Sequence, residues 1–206
     1  MPRTVVLKLD PECPDTKLIA RAAKMLQSGG LVAFPTETVY GLGANLLDKK
    51  AITRLYRVKQ RPKGKPFTVH IEDASLIKRL GCEITKEAKA LIDKYWPGPL
   101  TIILNCEDGR KIGFRMPANK AALELIRQAK IPVVAPSANI SGEVPPTSAE
   151  AVLEQLDGRI DILLDAGPTE IGVESTVIDM SVTPPKILRE GAIGRQAIMN
   201  TINSKY

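Results

Sequence analysis

Residues 54–71 read RLYRVKQRPKGKPFTVHI, and the change of period within them decides what kind of fold the chain takes. Ile52, Leu55 and Val58 recur at helical spacing behind Asp48, a suitable N-cap, so the front half predicts the end of an amphipathic helix. Pro62 cannot continue that helix, and it pushes Arg61 out of the α region as well. Phe67-Thr68-Val69-His70-Ile71 then alternates as a strand, with Thr68 and His70, the only histidine, on one face. Six basic residues (Arg54, Arg57, Lys59, Arg61, Lys63, Lys65) crowd this helix-to-strand passage. They read either as a solvated basic face or as an anion site. Their position at element ends, in a loop that Gly64 leaves free to fold around a ligand, favours the anion site.

The same alternation of helix and strand extends in both directions. Toward the N-terminus, 4–9 reads as a strand, 16–28 as a helix capped by Asp15 or Thr16, and 31–34 as a short apolar strand ended by Pro35. The following 36–43 (TETVYGLG) reads as a loop of hydroxyls and glycines, the kind of rim where open α/β sheets place ligands. Toward the C-terminus, Thr85 caps a helix to Tyr95, 100–104 and 112–116 are strands, and Asn119 caps a helix to Ala129. Arg115 falls inside a strand, where an arginine is usually solvated. The strand 131–135 runs into Pro136-Ser137-Ala138-Asn139, repeating the pattern of strand, proline and small polar residues. Thr147 and Glu150 form a capping box for a helix to Leu156. Strands at 161–165, 175–180 and 186–189 and a short helix after Gly194 complete the series. We read one α/β (α+β) domain over residues 1–206 with a mixed sheet.

Composition narrows the function. A 44% hydrophobic, 25% charged chain of 206 residues can bury a sizeable core, and 4% aromatics argue against a base-stacking surface. The net charge of +6 and pI near 9.2 favour anionic partners such as nucleotides, phosphates or RNA. No membrane span or signal peptide is expected. Cys13, Cys82 and Cys106 suggest neither a disulfide framework nor a metal knuckle, so the chain is expected to be cytoplasmic and reduced, with no metal bound by the protein. There is no GxxxxGK[ST] loop, dinucleotide fingerprint, GxSxG elbow or HExxH pair. What remains is a phosphate site of Lys, Arg, hydroxyls and amides, suited to phosphoryl or nucleotidyl chemistry.

The segments PTETVYGLG (35–43), KQRPKGKPF (59–67), WPGPLT (96–101), APSANISG (135–142), GVESTVID (172–179) and ILREGAI (187–193), in this order, resemble the YrdC-like threonylcarbamoyl-AMP synthase family. The resemblance implies an open, twisted mixed sheet flanked by helices, with a concave basic cavity. It implies synthesis of threonylcarbamoyl-adenylate from L-threonine, bicarbonate or CO2, and ATP, with release of pyrophosphate. A separate tRNA-modifying transferase would place the group at position 37 of tRNA. By the family's KxR…SxN signature, Lys59, Arg61, Ser137 and Asn139 are the expected catalytic residues. Thr36, His70, Arg115 and Ser175 are expected around threonine. Lys59, Arg61, Lys65, Ser137, Asn139 and Arg189 are expected around the nucleotide, while Glu37, Tyr40 and Asn45 are neighbours in matched segments. Mg2+ is expected to arrive with ATP, because the sequence offers no carboxylate cage. Longer members carry a second domain after a linker, which this chain is expected to do without. The alternative is a non-catalytic RNA-binding or ribosome-assembly module, and weak RNA binding is compatible with either reading.

Overall fold

The computed structural model describes residues 3–62 and 64–203; Lys63 of the basic stretch lies outside them, as do both chain ends. The strands are β1 (Val5–Lys8), β2 (Val32–Phe34), β3 (Gly41–Asn45), β4 (Val69–His70), β5 (Leu100–Asn105), β6 (Lys111–Arg115), β7 (Val133–Val134), β8 (Ile162–Asp165), β9 (Thr176–Asp179) and β10 (Lys186–Arg189). The helices are α1 (Thr16–Gln27), α2 (Lys49–Val58), α3 (Ser75–Arg79), α4 (Lys86–Tyr95), α5 (Lys120–Ala129), α6 (Ala149–Leu156) and α7 (Arg195–Asn203). All ten strands join one open sheet in the order β1-β8-β2-β3-β7-β4-β6-β5-β9-β10. It is mixed as expected: β1/β8, β8/β2, β4/β6 and β5/β9 are parallel, and the other neighbours are antiparallel.

Local chemistry sets most helix starts. Asp15, Asp48, Thr85 and Asn119 each accept a backbone N–H of the first turn, as the sequence predicts. The α6 cap is one residue later than expected: Ser148, not Thr147, accepts from Ala151 N.

The sheet's two faces are covered unequally. Leu55 and Val58 (α2), Ile77 (α3), Leu91 (α4), Val152 (α6) and Ile198 (α7) pack on one face against Leu42, Ile102, Phe114 and Ile178. On the other face, Ile19 and Leu26 of α1 and Leu125 of α5 pack over β1, β8, β2 and β7. The rest of that second face, on β4, β6, β5 and β9, lines a cavity. Period-two alternation does the sorting: Leu100, Ile102 and Leu104 of β5 enter the core, while Thr101 and Ile103 face the cavity.

Two expectations are corrected, and one helix is added. The glycine-rich 41–45 segment forms strand β3, hairpinned to β2, because a side chain at Gly43 would press on Phe34 and Leu26 (3.1 and 3.3 Å). α3 was not foreseen, being too short for its periodicity to register. Cys82 and Cys106 are joined in a disulfide across an isolated β-bridge, against the expected reduced state, because the fold brings the turn that follows α3 beside the residue after β5. Cys13 is free and exposed.

One polar junction secures the covered half. Asp161 accepts the Leu31 N–H at 2.7 Å and pairs with both Arg54 amines at 2.5 and 3.1 Å, tying α2 to the starts of β2 and β8. Arg54 is therefore occupied structurally. Asp161→Ala should cost about 2 kcal/mol by stranding that amide and the guanidinium. The check is urea unfolding, where the midpoint should fall with an unchanged slope.

Candidate active site

The exposed part of the second face forms a cavity of about 380 Å³. Among the described residues, four cationic side chains line it (Arg61, Lys111, Arg115, Arg189), with two carboxylates (Glu174, Asp179). His70, Ser137 and Ser175 line it too. The α2 terminus, the 135–137 loop and the β9–β10 hairpin thus meet around β4 and β6.

Lys59 sits behind this wall, only 2% exposed. Its ammonium donates to the Ser137 and Asn139 carbonyls at 2.5 and 2.7 Å, and to Asn139 Oδ1 at 3.3 Å. Burial, then the nearby Arg61 charge, pushes its pKa down to about 8. It is still an ammonium at neutral pH, and three oxygens hold it. Ser137 Oγ donates to Asn139 Oδ1 at 2.6 Å, and Asn139 Nδ2 donates to the Glu143 carbonyl. The four signature residues therefore come together, but with different placements. Ser137 and Arg61 reach the cavity, whereas Lys59 and Asn139 brace the loop behind it.

Arg61 follows α2, donating to the carbonyls of Lys65 and Pro66 at 3.2 Å and lying 5.3 Å from the Phe67 ring centre. Burial lowers its pKa. Gly64, at φ +98°, supplies the turn that brings those carbonyls back. The Lys65 side chain is exposed and outside the lining.

Beneath the cavity floor lies a buried polar layer. Thr36 is 2% exposed and folds its own loop: it donates to the Val39 carbonyl and accepts from Thr38 N and Val39 N. Arg115, in a strand yet 5% exposed, donates to Thr38 Oγ1 at 2.8 Å. Glu37 Oε1 is 2.9 Å from the same Arg115 amine, an ion pair without an aligned hydrogen bond. Burial lowers the Arg115 pKa and Glu37 opposes that shift. His70 is fully buried, edge-on to Phe34, with Nδ1 unpartnered among the described residues. Burial, then Arg115, pushes its pKa down to about 3, so the ring is neutral.

Ser175 shares a hydrogen bond with Thr101 at 2.9 Å. Arg189 donates to the Ser175 carbonyl and hydroxyl at 3.0 and 3.1 Å. Thr38, Thr101 and Glu174 were not singled out from sequence. All three stood inside the matched segments, but only the β5/β9 pairing puts Thr101 at Ser175, and only the β9–β10 hairpin puts Glu174 against Arg189.

The chain and its fold resemble known proteins. A family model for the Sua5/YciO/YrdC domain, described as "Telomere recombination", matches residues 24–191. A crystal structure of Pyrococcus abyssi Sua5 complexed with L-threonine superposes with a TM-score of 0.92 at 42% identity, covering 97% of this chain and 61% of that one. The threonylcarbamoyl-AMP synthase of Bacillus subtilis is 45% identical over 87% of this chain and 55% of its own length. The crystal structure of E. coli YciO gives 0.85 at 27% identity, covering 95% of this chain and 99% of that one. The chain thus spans 55 to 61% of two of these relatives and nearly all of the third. With the model matching most of its length and the fold shared throughout, the chain belongs to the Sua5/YciO/YrdC family.

Proposed function

We propose that the chain makes L-threonylcarbamoyl-adenylate from L-threonine, bicarbonate or CO2, and ATP, with release of pyrophosphate. The observation that carries this reading is the cavity itself: cations from three separate segments converge with hydroxyls and a neutral, buried histidine. It lies in a domain that superposes closely on a threonine-complexed relative. An excess of cations over carboxylates suits a nucleotide triphosphate.

The chemistry asks for a neutral amine and a stabilised leaving group. An α-amine is largely protonated at pH 7, and a closed pocket disfavours that charge. The buried His70 ring, already neutral, fits a pocket of this kind. The threonine nitrogen then bonds to the CO2 carbon and loses a proton, and a carbamate oxygen attacks the α-phosphorus as the α–β bridge to pyrophosphate breaks. Arg61 and Arg189 are placed to offset charge on the departing phosphates. Ser137 would hold a phosphate or carbamate oxygen, kept in place by Lys59 and Asn139 from behind. Among the described residues no group of three or more His, Cys, Asp or Glu could hold a metal ion. Mg2+ would arrive with the incoming nucleotide, as part of the substrate.

The product is an activated acyl adenylate, so a tRNA-modifying transferase is the natural consumer. Bicarbonate as carbon source, cytoplasmic residence and weak RNA contact complete the proposal. In the described residues no helix is long and apolar enough to cross a membrane.

The decisive assay is pyrophosphate release from ATP with bicarbonate, with and without L-threonine and with serine as control. Release should require both threonine and bicarbonate; threonine-independent or absent release, with salt-sensitive RNA binding, would overturn the reading. Arg61→Ala should lower threonine-dependent release about a hundredfold, or ~3 kcal/mol, with the circular dichroism unchanged. His70 generates a pH test. Its folded pKa, about 3, lies below the ordinary 6.5, so the unfolded chain takes up the proton first. The stability tied to the neutral ring is complete above pH 6.5 and declines as pH falls toward 3. His70→Gln should flatten that decline in unfolding curves taken across this window.

A further inference from the structure

Glu174 stands just before β9, and its Oε1 lies 2.5 Å from Arg189 Nη1 at the cavity wall. The other carboxylates nearby have different tasks. Glu37 lies beneath the floor against Arg115, and Asp179 accepts from the amide and hydroxyl of Ser181. Glu174 is thus the lining carboxylate that directly answers a lining cation. Its charge also reaches Lys59, Arg61 and Arg115, favouring the protonated form of each.

The contact is built to be exchangeable. Both side chains are partly exposed, 41% for Arg189 and 31% for Glu174, and ion pairs of that exposure are weak. The backbone beneath is fixed. The Glu174 carbonyl accepts from Ala192 N at 3.0 Å, and Gly191 packs so closely on residues 174 and 175 that a Cβ there would overlap their backbone. Arg189 is anchored separately, through its two hydrogen bonds to Ser175. The Glu174 carboxylate can therefore swing away while the guanidinium stays aimed into the cavity.

We propose that the Glu174 carboxylate is an internal stand-in for a substrate phosphate, occupying the Nη1 edge of Arg189 until the nucleotide displaces it. The proposal rests on the reading that ATP phosphates enter this cavity. A phosphate offers more negative charge than a carboxylate and can bind guanidinium bidentately, so it wins the exchange. The carboxylate then sets how tightly nucleotide binds, holding affinity below what the cations alone would give.

The opposite role, in which Glu174 orients Arg189 for the phosphate, predicts the opposite sign. Equilibrium binding of MgATP, measured by calorimetry without threonine, separates the two. Glu174→Gln keeps a hydrogen-bonding group but removes the charge; it should bind MgATP about fivefold more tightly, the equivalent of roughly 1 kcal/mol. Glu174→Ala should tighten binding similarly. Glu190→Gln, at an exposed carboxylate that caps Arg195 N outside the cavity lining, serves as the charge control and should bind as wild type. Thermal unfolding of each variant checks the fold. Unchanged or weaker binding by both Glu174 variants overturns the stand-in while leaving the proposed function in place. No MgATP binding by wild type overturns both.

Discussion

A buried ammonium must be surrounded by oxygen, because an unpaired charge at 2% exposure would cost several kcal/mol. Lys59 meets that demand with the carbonyls of Ser137 and Asn139, which belong to a loop some eighty residues further along the chain. The requirement works in both directions. It fixes the end of α2, from which Arg61 projects into the cavity, and it fixes the loop that presents Ser137. Without a cation at this point the two carbonyls would lose its hydrogen bonds, and opposite walls of the cavity would lose their common reference. The rest of the site hangs on that tie.

The same economy runs along the cavity floor. Thr36, Thr38, Glu37 and Arg115 form a layer of polar groups between an apolar core and an open face, each partly satisfied by the next. Such layers stabilise less than packed hydrocarbon would. What they supply is orientation: the Arg115 guanidinium has partners on the Thr38 and Glu37 side and a weaker one at the Gly98 carbonyl, 3.4 Å away. The neutral His70 ring beside it completes a surface whose charges lie at set positions in a medium of low polarity.

Much of this was legible in the sequence, and the reasons differ by element. Helix caps could be read because Asp15, Asp48, Thr85 and Asn119 act within three residues of themselves. The core strands could be read from their alternation. β3 could not, since Gly41 and Gly43 look like loop residues until Phe34 is known to press against them. The disulfide was equally hidden, because 24 residues of separation carry no information about a bridge made by two element ends. Among site residues, the motifs pointed to Lys59, Arg61, Ser137 and Asn139, of which Lys59, Ser137 and Asn139 lie in direct contact. They did not reveal that Lys59 and Thr36 are spent on internal bonds, or that Thr101 meets Ser175. The Thr36 bonds close within its own loop, whereas the Lys59 and Thr101 contacts join distant segments, the latter through the pairing of β5 with β9.

That strand order bears on how the molecule comes into being. Val5 pairs with Ile162, and Leu100 with Thr176, so β1 and one side of β5 wait for partners made much later. Contacts so distant in sequence carry a large loop-closure entropy and favour slow folding. On a ribosome, the cavity has its Arg61 wall long before the β9–β10 hairpin exists to close the other side. A growing chain therefore passes through a long interval with an unfinished sheet edge at β5 and cationic side chains lacking their eventual neighbours. During that interval the nascent protein depends on whatever shields such an edge, and the cavity takes its full outline abruptly, with the last strands.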